Sequence, residues 1–191
     1  MSSIKSGIIA STAMAFIATG AQADDLVIVD LSVANEITIT ALPGLSAATI
    51  SGSDTTGFLL ADFFNAAGTG SIFESGGVGD LTSAANGSDS SPGLFNSGGS
   101  FGLNVWSYTN DATSDFTAGQ VAFSGTATWS LDPADYAEAL NSGVSGDIYF
   151  AADSDDDISG ATYIGTWTTV PAPSSLALLG LGGVAAIRRR R

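Results

Sequence analysis

The chain has 191 residues, with 19 acidic residues, five basic residues, no histidine, no cysteine and a formal net charge of −14. A nucleic-acid interface is excluded, because phosphate recognition depends on lysine and arginine. Without disulfides, a folded domain must rely on its hydrophobic core, and a hydrophobic content of 45% is ordinary for one globular domain.

The first 23 residues have the three parts of a secretory signal peptide. Lys5 supplies a positive charge, and residues 7–20 (GIIASTAMAFIATG) form an apolar stretch. Ala21 and Ala23 flank Gln22 in an A-x-A cleavage site. The apolar stretch is short for a membrane-spanning helix. We therefore predict export and cleavage by signal peptidase after Ala23.

Strand patterns dominate the first part of the body. Glu36 to Ala41 alternates Ile37 and Ile39 with polar residues, which is the period of a strand with one wet face. Residues 65–100 hold 20 Gly, Ser and Asn in 36 positions, which predicts a long loop or short strands with many turns. The other predicted strands of this half are Leu26–Ser32, Ala47–Ser51 and Phe58–Phe64, of which the last has a short helix as its alternative.

The second part of the body shows the clearest alternation, over Gln120–Leu131, where Phe123, Ala127 and Trp129 share one face. Asp132, followed by proline, starts a predicted two-turn helix. The further elements predicted here are the strands Phe101–Tyr108, Asp147–Ala151 and Ala161–Thr168, the helix Asp132–Leu140 and the hairpin loop Asp153–Gly160. Many short strands with glycine-rich turns predict an all-β domain over residues 24–169, an antiparallel β-sandwich or jelly-roll-like barrel with one short helix.

The composition changes after Val170. Pro171, Ala172 and Pro173 break regular structure, and Ser174 to Ile187 (SSLALLGLGGVAAI) is apolar. Arg188, Arg189, Arg190 and Arg191 follow it. As a helix, 14 apolar residues reach roughly 21 Å, against about 30 Å for the hydrocarbon core. We predict a hydrophobic tag helix, marginal as a transmembrane helix, whose arginines stay on the cytoplasmic side of the inner membrane.

The segment VPAPSSLALLGLGGVAAIRRRR, residues 170–191, resembles the PEP-CTERM sorting signals. Their motif has Pro-Glu-Pro, an apolar run and a basic end, and the central glutamate of the family is Ala172 here. The resemblance implies processing by an exosortase-like membrane protease near Pro171 to Ser174. It also implies transient anchoring and delivery to the cell surface, extracellular matrix or biofilm of a Gram-negative bacterium. The same signal occurs on some ice-binding proteins.

Catalytic chemistry is narrowly limited in the body. Lys5 and the four arginines are the only basic residues, so residues 24–169 contain no His, Lys, Arg or Cys. Most activated nucleophiles and bases are therefore excluded. We expect a non-enzymatic structural or binding role, with adhesion, glycan and calcium binding as its forms. A glycoside hydrolase that uses two carboxylates is the alternative.

An acidic cluster formed by Asp153, Asp155, Asp156 and Asp157 is the candidate metal site. Packed carboxylates repel one another, and a hard cation such as Ca²⁺ relieves that repulsion. The EF-hand pattern does not fit, because Ile158 occupies the glycine position of that loop. The alternative is a solvated acidic hairpin tip.

Trp106 and Tyr108 are the candidate glycan-binding pair, with exopolysaccharide as the partner, because they lie opposite Leu103 and Val105 in the predicted strand. Burial of both faces is the alternative. Three T-x-T steps, at residues 38–40, 126–128 and 166–168, are compatible with an ice-binding threonine array. Ordinary β-propensity explains them equally well.

Overall fold

The computed structural model describes residues 24–64, 72–74, 76–88, 92–96, 98–106 and 113–170. The predicted signal peptide, residues 1–23, and residues 171–191 of the predicted tag lie outside the described residues. Strands dominate the described part, and the all-β class is confirmed. No helix within these ranges is both long and apolar enough to cross a membrane.

The elements are numbered along the chain. The first half contains β1 Asp25–Asp30, β2 Glu36–Ala41, β3 Gly52–Asp54, β4 Phe58–Leu60, β5 Ile72–Glu74, β6 Val78–Gly79, β7 Thr82–Ser83 and β8 Leu94–Asn96. The second half contains β9 Leu103–Val105, β10 Ser114–Phe116, β11 Phe123–Ser124, β12 Thr126–Ser130, α1 Pro133–Ala139, β13 Ser145–Phe150, a 3-10 helix Asp155–Gly160 and β14 Thr162–Val170.

Among the described residues, ten strands form one mixed sheet in the order β5-β8-β9-β4-β13-β14-β1-β2-β12-β6. Two further sheets in this part of the chain have two strands each, β10-β3 and β11-β7. The prediction of a purely antiparallel arrangement is wrong, because β1 and β14 pair in parallel. These are the first and last described strands, so no tight hairpin has to join them. The sandwich or jelly-roll arrangement is not confirmed.

The large sheet curls, so that strands near its two edges come close together. Trp129 lies on β12, next to one edge of the sheet, and its Nε1 donates a 2.7 Å hydrogen bond to the carbonyl of Pro92, which precedes β8, the strand next to the other edge. Buried tryptophan needs such a partner for its N–H, and Trp129 is fully buried. The buried apolar side chains inside this curl form one contiguous core.

Gly125 divides the strand predicted over Gln120–Leu131 into β11 and β12. Its φ is +83°, and a Cβ at this position would collide with the carbonyl of Asp80. Glycine adopts such a φ without steric cost. The predicted apolar face is confirmed at Phe123, Ala127 and Trp129, which are all buried. It fails only at the start of the predicted strand, where Val121 is exposed and Ala122 is buried instead.

The remaining predictions differ from the structure mainly at element boundaries. Ala47–Ser51 is not a strand, and Phe58–Phe64 shortens to β4. The predicted helix is confirmed as α1, Pro133–Ala139, with Asp132 as its N-cap and Leu140 as its C-cap. The predicted acidic hairpin loop contains the 3-10 helix, whose first turn holds three aspartates.

Candidate functional site

Trp106 is not an exposed stacking residue, so this prediction is corrected. Its side chain is 3% exposed, and its ring stacks on Phe123 at 5.6 Å and meets Phe58 edge-on at 5.5 Å. The backbone φ of Trp106 is +79°, so strand alternation has ended before this residue. A sugar cannot reach the ring without opening the core. Tyr108, the other member of the predicted pair, lies outside the described residues.

Strand β9, which precedes Trp106, is covered on both faces. Asn104 is fully buried, and its amide donates to the carbonyls of Thr56 (2.8 Å) and Ala152 (2.7 Å). A buried amide requires such partners. The face opposite Leu103 and Val105 is therefore interior, which confirms the alternative that the sequence left open for Trp106.

The four aspartates of the acidic cluster do not converge. Asp155 Oδ2 accepts hydrogen bonds from the Phe101 N–H (2.5 Å) and the Ser100 hydroxyl (3.1 Å). Asp157 Oδ2 accepts a bond from the Asp153 N–H at 3.3 Å. Within the residues that the structure describes, no group of three or more acidic side chains is placed to hold a metal ion. Calcium binding stays a prediction, which calorimetric titration at millimolar Ca²⁺ tests.

A polar hollow of about 180 Å³ lies beside Asp155. It is bounded on one side by the turn that begins at Gly98 and on the other by Ser154, which precedes the 3-10 helix, and the first residues of that helix. Asp155 joins these two segments across 54 residues of sequence. The Asp155 carboxylate therefore links the 3-10 helix to the turn at residues 98–101 by hydrogen bonds.

Replacement of Asp155 by alanine is expected to lower the free energy of unfolding by about 1–3 kcal/mol, because the buried Ser100 and the Phe101 N–H lose a charged acceptor. Asp156→Ala is the matched control, since Asp156 is an exposed neighbour in the same helix. Urea unfolding of both variants checks the difference. Equal free energies of unfolding for the Asp155→Ala and Asp156→Ala variants would contradict the role of Asp155 in linking the two segments.

The outer face of strands β14, β1, β2 and β12 carries the threonine residues. Two of the T-x-T steps are direct cross-strand neighbours, with Thr38 opposite Thr128 and Thr40 opposite Thr126. Their hydroxyl oxygens are 2.7 Å and 3.2 Å apart. The sequence alone gave no sign of this alignment, because 86 residues separate Thr40 from Thr126.

The third T-x-T step lies two strands away on the same sheet. Thr168 of β14 pairs with Ile28 of β1, which in turn pairs with Thr40 of β2. One row therefore crosses four strands as Thr168, Ile28, Thr40 and Thr126. All four side chains are half-buried.

Tyr149 and Tyr163 form a second feature of this sheet, which the sequence reasoning missed. They are cross-strand partners of β13 and β14, and their rings are 5.9 Å apart at 61°. The Tyr149 hydroxyl donates to Asp147 Oδ2 at 3.3 Å. Strand alternation could have revealed this pair. In a strand, the neighbour of a buried residue lies on the outer face, and each tyrosine is next to a buried isoleucine, Ile148 or Ile164.

The two tyrosines remain protonated at neutral pH. Partial burial, followed by the charge of Asp147, raises the pKa of both Tyr149 and Tyr163. Both O–H groups are therefore retained; that of Tyr149 donates to Asp147, and both hydroxyl oxygens can accept hydrogen bonds. Because residues 24–170 contain no Lys, Arg or His, this tyrosine patch, defined as Asp147, Tyr149 and Tyr163, suits a neutral ligand rather than an anionic one.

Strand β14 leads directly into the predicted tag. Its last residue, Val170, is paired with Asp30 of β1, and Pro171 follows with no intervening residue. The family model of the PEP-CTERM protein-sorting motif matches residues 169–191. No curated protein and no solved structure gives a significant match. The chain thus carries a PEP-CTERM sorting signal, which implies export, membrane-associated sorting and processing by an exosortase, a membrane protease.

Proposed function

We propose that this protein is delivered by its sorting signal to the cell surface or extracellular matrix, where its acidic β-domain has a structural or binding role. The observation that carries the proposal is the PEP-CTERM motif at residues 169–191. The signal peptide pattern of residues 1–23 supports export through the same membrane. The uncompensated negative charge of residues 24–170 supports solubility outside the cell.

In this proposal the curled sheet forms a sandwich-like or jelly-roll-like body. Phe58 of β4 in the large sheet packs edge-on against Phe123 of the small β11-β7 sheet, with ring centroids 4.7 Å apart. The two sheets therefore share one aromatic core, as the layers of a sandwich do.

The proposed role is non-enzymatic. Support comes from the lack of His, Lys, Arg and Cys in residues 24–170, which removes most nucleophiles and bases. A carboxylate-dependent glycoside hydrolase is the alternative. Release of reducing sugars from a polysaccharide panel, abolished by one Asp→Asn change, would establish that alternative.

The proposed ligand is a neutral glycan such as an exopolysaccharide, bound at the tyrosine patch. Aromatic rings pack on the apolar faces of sugars, and Asp147 adds carboxylate acceptors for sugar hydroxyls beside Tyr149. The lack of cations in the body disfavours acidic polysaccharides.

Replacing Tyr149 or Tyr163 by alanine is expected to weaken neutral-glycan binding about tenfold, because loss of an aromatic contact costs about 1–1.5 kcal/mol. Tyr136→Ala is the control, since Tyr136 lies on α1 and its hydroxyl donates to the carbonyl of Leu31. A glycan array followed by calorimetry measures the effect. Unchanged affinity in both patch variants would remove glycan binding from this site.

Sorting is tested by the intact mass and location of the protein in a host with an exosortase. We expect a surface or matrix fraction whose mass lacks the arginine tail. Trypsin provides the control: residues 24–187 contain no Lys or Arg, so once the signal peptide with its Lys5 has been removed, trypsin shortens only chains that retain Arg188–Arg191. A native protein that trypsin shortens at its C-terminus would mean that the tag is a permanent anchor.

Ice binding is the second candidate, favoured by the in-register threonine rows of β2 and β12. An ice-recrystallisation assay on the full chain tests it. Thr38→Lys should abolish inhibition, because the bulky charge interrupts the row, whereas Thr162→Lys at the exposed start of β14 should not. No inhibition by the unmodified protein would end this candidate.

A further inference from the structure

No spacer separates the folded domain from the sorting tag. The sorting motif begins at residue 169, but Thr169 and Val170 are still residues of β14. The three following residues, Pro171 to Pro173, reach only about 10 Å even when fully extended. The apolar run of the tag starts directly after them.

Both sides of β14 are occupied at this end. On one side the Thr169 N–H donates to the carbonyl of Val144 at 2.9 Å, and Thr168 is paired with Ser145. On the other side Val170 is paired with Asp30 of β1. β14 is the sixth of ten strands in the sheet, so it has no free edge.

A protease commonly holds its substrate as an extended strand, through main-chain hydrogen bonds on one edge of the peptide. The main chain of residues 168–170 already forms such bonds with β13 and β1. These residues are therefore unavailable to a protease while the sheet is intact. Cleavage within β14, or at the Pro171–Ala172 bond, would require the end of a central strand to leave the sheet.

We propose that the folded domain itself sets the N-terminal limit of processing, so that the bond cut lies C-terminal to Ala172 and β14 is left whole. This inference rests on the proposed sorting function. The step is hydrolysis. The amide C–N bond breaks, water supplies the hydroxyl of the new carboxyl group, and the remaining proton of that water goes to the released amine. The mature chain keeps Val170, and with it the pairing to Asp30.

The first test needs no exosortase. The full chain in non-ionic detergent is digested with proteinase K, and the last retained residue is found from the chymotryptic peptide that begins after Trp167. Protection is expected to end at Ala172 or beyond. Trimming to Pro171 or earlier, with an unchanged circular dichroism spectrum, would overturn the proposal.

A spacer variant separates the sheet from the proline sequence as the cause of protection. Ala-Ser-Ala-Ser is inserted between Val170 and Pro171. If the sheet sets the limit, the last retained residue falls within the insert, at a fixed distance from Val170. If protection instead moves four residues outward with Pro171, the prolines cause it and the proposal fails.

The native C-terminus then separates this inference from the proposed function. A processed protein ending at Ala172 or later agrees with both. A processed protein ending at Pro171 or earlier overturns the limit while the sorting function stands. A native protein that retains the whole tag contradicts the sorting function, and the two digestion results then decide the limit independently.

Discussion

Raising the NaCl concentration from about 20 mM to about 500 mM is expected to raise the Tm of the protein by roughly 5–10 °C. Residues 24–170 contain 19 acidic side chains and no basic one, so charge repulsion has no compensating ion pairs there. Like-charge neighbours each cost a few tenths of a kcal/mol, which sums to about 2–3 kcal/mol. Salt screens this repulsion, and about 1 kcal/mol shifts the Tm of such a domain by roughly 2–4 °C.

Lowering the pH from 7 towards 4 should act in the same direction. Burial, then the charges of Asp132 and Glu138, raises the pKa of Asp135 above 3.8. A raised pKa means that protonated Asp135 adds to the free energy of unfolding. This contribution is fully present below the unfolded pKa of Asp135 and is lost as the pH rises through its folded pKa. A hydroxyl hydrogen bond from Thr56 lowers the pKa of Asp54, so the contribution of Asp54 is lost only as the pH falls through that lower pKa.

Two variants serve as matched controls for this electrostatic prediction. Asp135→Asn should not destabilise the protein at pH 7, because it removes a carboxylate whose ionised form is disfavoured. Asp54→Asn should destabilise it, because a neutral amide oxygen would replace the charged Oδ1 that accepts from the Thr56 N–H (2.8 Å) and hydroxyl (2.6 Å). Differential scanning calorimetry at two salt concentrations and two pH values measures all three proteins. A Tm that does not change with salt at pH 7 would refute the repulsion.

Trp167→Ala is expected to lower the free energy of unfolding by about 3–5 kcal/mol, as large-to-small substitutions of a buried tryptophan do. Trp167 has no exposed surface, and its ring lies 5.3 Å from that of Phe63. Its Nε1 donates to the carbonyl of Ala61 at 3.0 Å. The substitution therefore leaves both a cavity and an unpaired carbonyl beside the central strand.

Thr162→Ala is the matched control, since Thr162 is an exposed residue of the same strand. We expect it to change the free energy of unfolding by less than about 0.5 kcal/mol. Trp167→Phe should fall between the two, because it keeps most of the ring volume but loses the donor to Ala61. Urea unfolding at constant salt measures the series. A cost below about 1 kcal/mol for Trp167→Ala would mean that neighbouring side chains fill the cavity or that Trp167 is not part of the core.

The sequence by itself determined the sorting signal and the strand character of the body. The signal from Pro171 to Arg191 is recognised as a linear pattern of prolines, an apolar run and arginines. Such a pattern needs no tertiary context to be read. The strand predicted at Glu36–Ala41 coincides with β2, because alternating Ile and Thr specify a half-buried strand locally.

Only the tertiary structure decided which strands became neighbours. The candidate sites depended on this pairing, because their residues come from different strands. Pairing of β2 with β12 aligned threonines that lie far apart in the sequence, and pairing of β13 with β14 brought Tyr149 opposite Tyr163. Trp106 was buried by rings from β4 and β11. Alternation assigns a residue to one of two faces, but whether that face is covered depends on partners that are distant in the chain.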